Sequence, residues 1–231
     1  MAAGRLAAPL PAVHAATATS SVPEAFRRYG LAVRPRSVWA ADLVPGTAMD
    51  VERDVRVLLV HHTVTSNQYA ANEVPRILRG IHRYHTGSDK GWPDIAYSFF
   101  VDRYGAVWEG RTGSLSEAVA GSATGGNQGS SRLCCLLGDF GAAAPPMVMV
   151  EALVKLLAAL ADTHGIVTAP GSIANFTSRG SNRWPAGKIV RVPTISGHRA
   201  VSQTTCPGDA AFALLPRHVP AAVTALRAAT R

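Results

Sequence analysis

LLVHHTVTSNQY, residues 58–69, is the stretch from which the fold is read. The apolar run at 57–60 is long enough for a strand buried on both faces, and it hands two adjacent histidines to a turn rich in Thr, Ser and Asn. Side chains alternate along a strand, so only one of His61 and His62 can face a site, and the other needs a different role. Far downstream, TISGHRAVSQTTCPGD at 194–209 repeats the arrangement: a strand-like run at 189–195 leads to Gly197-His198, and a loop then presents Cys206 ahead of Pro207-Gly208. Two strand ends and a loop thus offer imidazole, imidazole and thiolate. Zn²⁺ takes three such ligands at catalytic sites and keeps a fourth tetrahedral position for water. His82, His85 and His164 remain as candidates for a fourth ligand, so a closed site stays open at this stage.

Outward from these stretches, a helix is expected from Asn72 to Gly87, because Val74, Ile77, Leu78, Ile81, His82 and His85 recur at intervals of three and four. Pro75 falls in its first turn, where the missing N–H costs little. Strands at 96–101 and 106–109 read as a hairpin around Asp102-Arg103-Tyr104-Gly105. Residues 110–132 are rich in Gly, Ser and Ala and suggest a loop on the rim of a groove; 133–137 is an all-apolar central strand. Residues 147–164 form the clearest helix, stopped by Gly165, with Glu151 and Lys155 as an i,i+4 pair on its narrow polar side. Residues 167–188 read as an irregular surface insertion, 189–195 as the last strand, and a terminal helix starts at Pro220. Elements of this kind imply an α/β fold, a mixed central β-sheet with helices packed over it.

The chain has 231 residues, 47% of them hydrophobic, which suffices for one domain with a substantial core. Its net charge is +8, from 23 Lys and Arg against 15 Asp and Glu, so polyanions are attracted. The excess is spread along the chain with no aromatic-basic interleaving, which argues against nucleic acid as a partner. No apolar run is long enough for a membrane span. Cys134 and Cys135 are adjacent in an apolar strand and read as buried small hydrophobes, and no disulfide framework follows. The Ala-rich residues 1–22 read as a weak or truncated export signal or a leader, and the division expected is 1–33 leader, 34–216 folded domain, 217–231 helical extension.

VHHT at 60–63, GWPDIAYSFFVDRYGAVWEGR at 91–111, LLGDF at 136–140 and GHRAVSQTTCPG at 197–208 resemble, in order and spacing, the peptidoglycan recognition protein and type 2 N-acetylmuramoyl-L-alanine amidase family. The resemblance covers roughly residues 34–216 and is closest to exported members from high-GC Gram-positive bacteria. It implies a mixed sheet flanked by about three helices and a zinc-bearing groove, with His61, His198 and Cys206 as Zn²⁺ ligands and His62 turned inward or supporting them. It further implies Tyr97 and Thr204 as catalytic groups that hydrogen-bond the oxygen on which charge develops, and a groove formed by His62, Trp92, Ser122 and Asn127. No glutamate is nominated as a base. The implied substrate is peptidoglycan or a muropeptide, with anionic cell-wall polymers as further partners and a secreted or wall-associated location. The runner-up is a binding module that does not cut, against which the retained Cys206 and Tyr97 argue. Relatives often read Gly-Ala-His-x-x-Gly-Phe-Asn where this chain has AGSATGGN at 120–127, so Ser122 and Gly126 imply an altered groove.

Overall fold

The computed structural model describes residues 22–230. Among the described residues eight strands occur: β1 (Val33–Arg34), β2 (Val57–His62), β3 (Phe99–Val101), β4 (Val107–Glu109), β5 (Ser131–Leu136), β6 (Ile173–Thr177), β7 (Ile189–Pro193) and β8 (Ile195–Gly197). Six of them form one sheet in the order β1-β4-β3-β5-β2-β8, while β6 and β7 pair antiparallel on their own. The six-stranded sheet is mixed: β2 runs parallel to both β5 and β8, and only the β3–β4 hairpin is antiparallel. All six residues of β2 and all six of β5 are buried, the apolar 57–60 and 133–136 as strands covered on both faces should be, and with them the polar His61, His62, Ser131 and Arg132.

Alternation along β2 and β5 divides the interior. Leu58, Val60, Cys134 and Leu136 face α4 (Met147–His164), joined there by α1 (Glu24–Arg28) and α6 (His218–Ala229). On the opposite face, Cys135 and Leu137 meet α3 (Val74–Thr86) and Trp39 of α2 (Ser37–Ala40), while Val57, Leu59 and Leu133 meet Phe176, Val190 and Val192 of the β6–β7 hairpin. Removing one such leucine side chain to alanine costs about 2–5 kcal/mol. Helix α4 ends where Gly165 adopts φ 64°, a left-handed cap, and Glu151 and Lys155 are both exposed. Among the described residues no helix is long and apolar enough to cross a membrane.

Three expectations are corrected. Residues 1–21 lie outside the described residues, but 24–33 are not leader: α1 and β1 place Phe26, Tyr29 and Leu31 in the core, and β1 pairs with β4. Asp162 fastens this segment, accepting from Tyr29 Oη and from Arg227 Nε of α6. The 167–188 insertion is not wholly irregular, since β6 lies within it, with Phe176 buried against Val57 and Leu59. The run at 189–195 is not one strand. Pro193 has no N–H to donate and closes β7; Thr194 then donates its N–H to Ser172 O and accepts from Leu58 N–H, so the chain steps from the hairpin into the central sheet as β8.

A buried polar knot braces the segment that leads to Tyr97. The fully buried Asp94 carboxylate accepts from the Arg36 guanidinium at 2.8 Å, from its neighbour Ile95 N–H, and from Thr112 N–H and Oγ1. Burial lowers the pKa of Arg36 and Asp94 counteracts it. Trp39 Nε1 donates to Glu109 O, which fixes α2 on the hairpin.

Candidate metal centre

The C-terminal end of β2 places His61 at the sheet's edge, and the neighbouring parallel strand β8 delivers His198 immediately after Gly197. Gly197 is required there, since a Cβ would meet Pro207 Cδ at 2.7 Å and Phe212 at 3.0 Å. The loop 201–208 folds back because Cys206 O accepts from Arg199 N–H, Gly208 N–H donates to Thr205 O, and the Arg199 guanidinium grips Asp209 at 2.8 Å. Cys206 returns to the end of β2, where its Sγ accepts from His62 N–H at 3.4 Å.

The result is a cluster of His61, His198 and Cys206 whose ligand atoms all lie within 4.8 Å of one another, with no fourth His, Cys, Asp or Glu joining it among the described residues. His82 and His85 are elsewhere engaged. His82 Nε2 lies 3.3 Å from Asp94, and His85 Nδ1 accepts from Ala96 N–H. His164 ends α4 on the far face of the sheet.

The residues fit a zinc ion on two observations. Cys206 Sγ and His61 Nδ1 are 3.7 Å apart, close to the ~3.6 Å that bonds of about 2.3 Å to sulfur and 2.0–2.1 Å to nitrogen subtend at a tetrahedral angle. The buried Nε2 of His198 has no hydrogen-bond partner among the described residues. Burial, then the neighbouring His198, holds His61 neutral well below the usual imidazole range, and burial pushes His198 down to about 4. Cys206 is pushed up to about 12, again by burial, with the His62 N–H acting against it. Two neutral imidazoles are ready ligands, and a cation supplies the charge that a buried thiolate lacks.

A cleft of about 500 Å³ opens beside the cluster, lined by Cys206, Thr204, Tyr97, Thr63 and Thr65 with Ile81, Tyr84 and His85 of α3. The Tyr97 ring lies 5.0 Å from that of His61, and burial raises its pKa well above 10, so the phenol keeps its proton. Thr204 Oγ1 accepts from Cys206 N–H at 3.2 Å, which leaves its own proton free to donate. His62 turns away from His61; its Nδ1 accepts from Phe140 N–H and lies 3.7 Å from Asp139, although the residue also borders the cleft.

The structure does not bring the other expected groove residues to the cleft. Trp92 stacks behind His85, at 5.0 Å between centroids, and lines a separate depression with His82 and Pro93. Ser122 accepts from the Arg111 guanidinium at 2.9 Å. Asn127 is buried and accepts from Ser178 Oγ and Arg179 N–H of the insertion. Gly126 is pressed against the Arg179 backbone, where a Cβ would come within 2.6 Å, so the insertion occupies the room an aromatic would need. Sequence reasoning missed the cleft role of Thr63, Thr65, Ile81 and Tyr84. Thr63 and Thr65 lie in the histidine-to-tyrosine turn and Ile81 in the α3 periodicity, but Tyr84 falls outside it, and periodicity alone does not say which edge of an apolar stripe stays open.

Human N-acetylmuramoyl-L-alanine amidase is 29% identical over 208 residues, 87% of this chain but 30% of the human protein. Peptidoglycan-recognition protein LB of Drosophila melanogaster is 26% identical over 179 residues, 77% of this chain and 65% of that one. The chain therefore spans less than a third of its human relative. Among solved structures, Drosophila peptidoglycan recognition protein SD superposes with a TM-score of 0.62 at 22% identity, covering 80% of this chain and 92% of that one. The amidase LysC from Clostridium intestinale superposes with 0.55 at 18%, covering 78% and 90%, and these two likenesses speak to the fold. The N-acetylmuramoyl-L-alanine amidase family itself matches residues 51–209, which contain all three clustered ligands and Tyr97, and the chain belongs to that family.

Proposed function

We propose that this chain is a zinc-dependent amidase that hydrolyses the amide between the lactyl group of N-acetylmuramic acid and L-alanine in peptidoglycan. The observation that carries the reading is the three-membered His61, His198 and Cys206 cluster opening on a cleft that Tyr97 and Thr204 line. When bound, Zn²⁺ lowers the pKa of its water and polarises the substrate carbonyl. His61, His198 and Cys206 would hold it, and the His62 N–H on Cys206 Sγ steadies the thiolate. Tyr97, protonated and beside His61, donates a hydrogen bond to the carbonyl oxygen as charge develops there, and Thr204 supplies a second donor. Ile81 and the ring of Tyr84 line the cleft from α3.

Such a substrate lies outside the cytoplasmic membrane, so a secreted or wall-associated location follows, and a net charge of +8 draws the protein to anionic wall polymers. A binding-only role is the alternative, and what favours it is that matched relatives such as the Drosophila protein LB are named as peptidoglycan-recognition proteins. Mass spectrometry of digested muropeptides separates the alternatives. The amidase releases peptides with new L-alanine amino termini and an intact lactyl acid. New reducing sugars would show a glycosidase, and bound but uncut muropeptide would show the binding module.

A further inference from the structure

Val64 is the one non-glycine residue among those described with a positive φ, 57°. A β-branched side chain crowds the backbone there, and glycine or asparagine would make the same turn without strain. The surroundings hold the strain in place. Thr63 and Val64 both donate their N–H groups to Gly138 O, at 3.2 and 2.9 Å; Gly138 N–H donates to Thr63 Oγ1, and Asn67 makes paired bonds with the backbone of Asp139. Val64 gains little by packing in return, being 65% exposed. It borders the cleft two residues beyond His62 and close to Cys206. A strained, exposed, apolar residue at the lip of a site has its use in what the site binds.

We propose that Val64 is a substrate-contact residue, whose side chain meets a methyl group flanking the scissile amide and so reads the first stem residue or the lactyl group. The inference rests on the substrate proposed above. Two methyls flank that bond, one on L-alanine and one on the lactyl ether, and both offer the same apolar chemistry.

The test measures binding by calorimetry in a Cys206→Ala background, where turnover does not intervene, for three compounds: a muropeptide, its analogue with glycine in place of L-alanine, and its analogue without the lactyl methyl. Val64→Asn should weaken the parent muropeptide about 5–10-fold, the fold-change of a lost methyl contact worth about 1–1.4 kcal/mol. Whichever analogue lacks the contacted methyl should bind with and without the substitution equally well, which identifies the methyl. In the otherwise unaltered protein Val64→Asn should raise Tm by a few degrees as the strain is relieved. Val64→Gly is the second variant and should lose the same discrimination. Unchanged discrimination in both variants overturns the proposal, as does a lowered Tm in Val64→Asn, which would mean that the fold itself uses valine there. Failure of all three compounds to bind the parent protein overturns this proposal and the proposed substrate together.

Discussion

Replacing Asp94 with alanine tests the packing logic most severely. The carboxylate is fully buried and holds Arg36, Ile95 N–H and both donors of Thr112, so its loss leaves a buried guanidinium without its partner and three donors unsatisfied. Breaking a buried pair by removing one member costs about 3–5 kcal/mol. For a chain of this size 1 kcal/mol shifts Tm by about 2–4 °C, so a fall of about 6–20 °C is expected. Asp94→Asn keeps the shape and loses the charge, and it should fall between the two. Differential scanning calorimetry measures both, and metal analysis of the same samples should show unchanged zinc stoichiometry, because the three ligands come from β2, β8 and the following loop. A fall of less than about 3 °C in Asp94→Ala would refute the reasoning, since it would mean that water or a rearranged Arg36 satisfies the knot at little cost.

Tyr97→Phe should lower kcat by about 10²–10³ with KM and zinc content little changed, the effect of removing one donor to a developing oxyanion; single-turnover kinetics on a defined muropeptide reads it. Stability should fall in acid through His85, which burial pushes down to about 4 while the unfolded side chain titrates near 6.5. Its contribution is complete above pH 6.5 and declines as pH drops towards 4, where the folded state protonates too. At about 1.4 kcal/mol per pH unit this amounts to roughly 3 kcal/mol, and His85→Gln should flatten the dependence of Tm on pH over that window. Gly138→Ala should destabilise and impair activity together, because φ is 149° and a Cβ would collide with Asn67 Oδ1, displacing the turn that carries Thr63 and Val64; an unaltered Tm would contradict this.

Much of this molecule is written locally in the chain. Strand β2 is legible because a short apolar run of this kind has few other readings, the three clustered residues through the motifs shared with the family, and α4 because a left-handed Gly165 stops an almost unbroken apolar helix. Of the β6–β7 hairpin, β7 reads as part of one longer strand and β6 is not legible. Phe176, Val190 and Val192 bury one face, but Ile173 and Ile189 are exposed on the other, so the alternation that signals a half-buried strand is blurred. Helix α1 has five residues, too few to show a period, and only its packing reveals Phe26 as core. At the site, His61 and His62 are equivalent in composition, and the pairing of β2 with β5 and β8 is what aims one at His198 and the other at Phe140. Asn127 shows the limit of reading a groove from a loop: its partners Ser178 and Arg179 lie in the insertion, which nothing in its own neighbourhood announces.

The most direct test of the central claim is a zinc titration of chelator-stripped protein, with release of L-alanine amino termini from a defined muropeptide followed at each step, alongside Cys206→Ala. The account predicts that product formation rises with zinc, saturates at one ion per chain, and stays at background in the variant. Fully zinc-loaded protein that releases no more product than Cys206→Ala would contradict it.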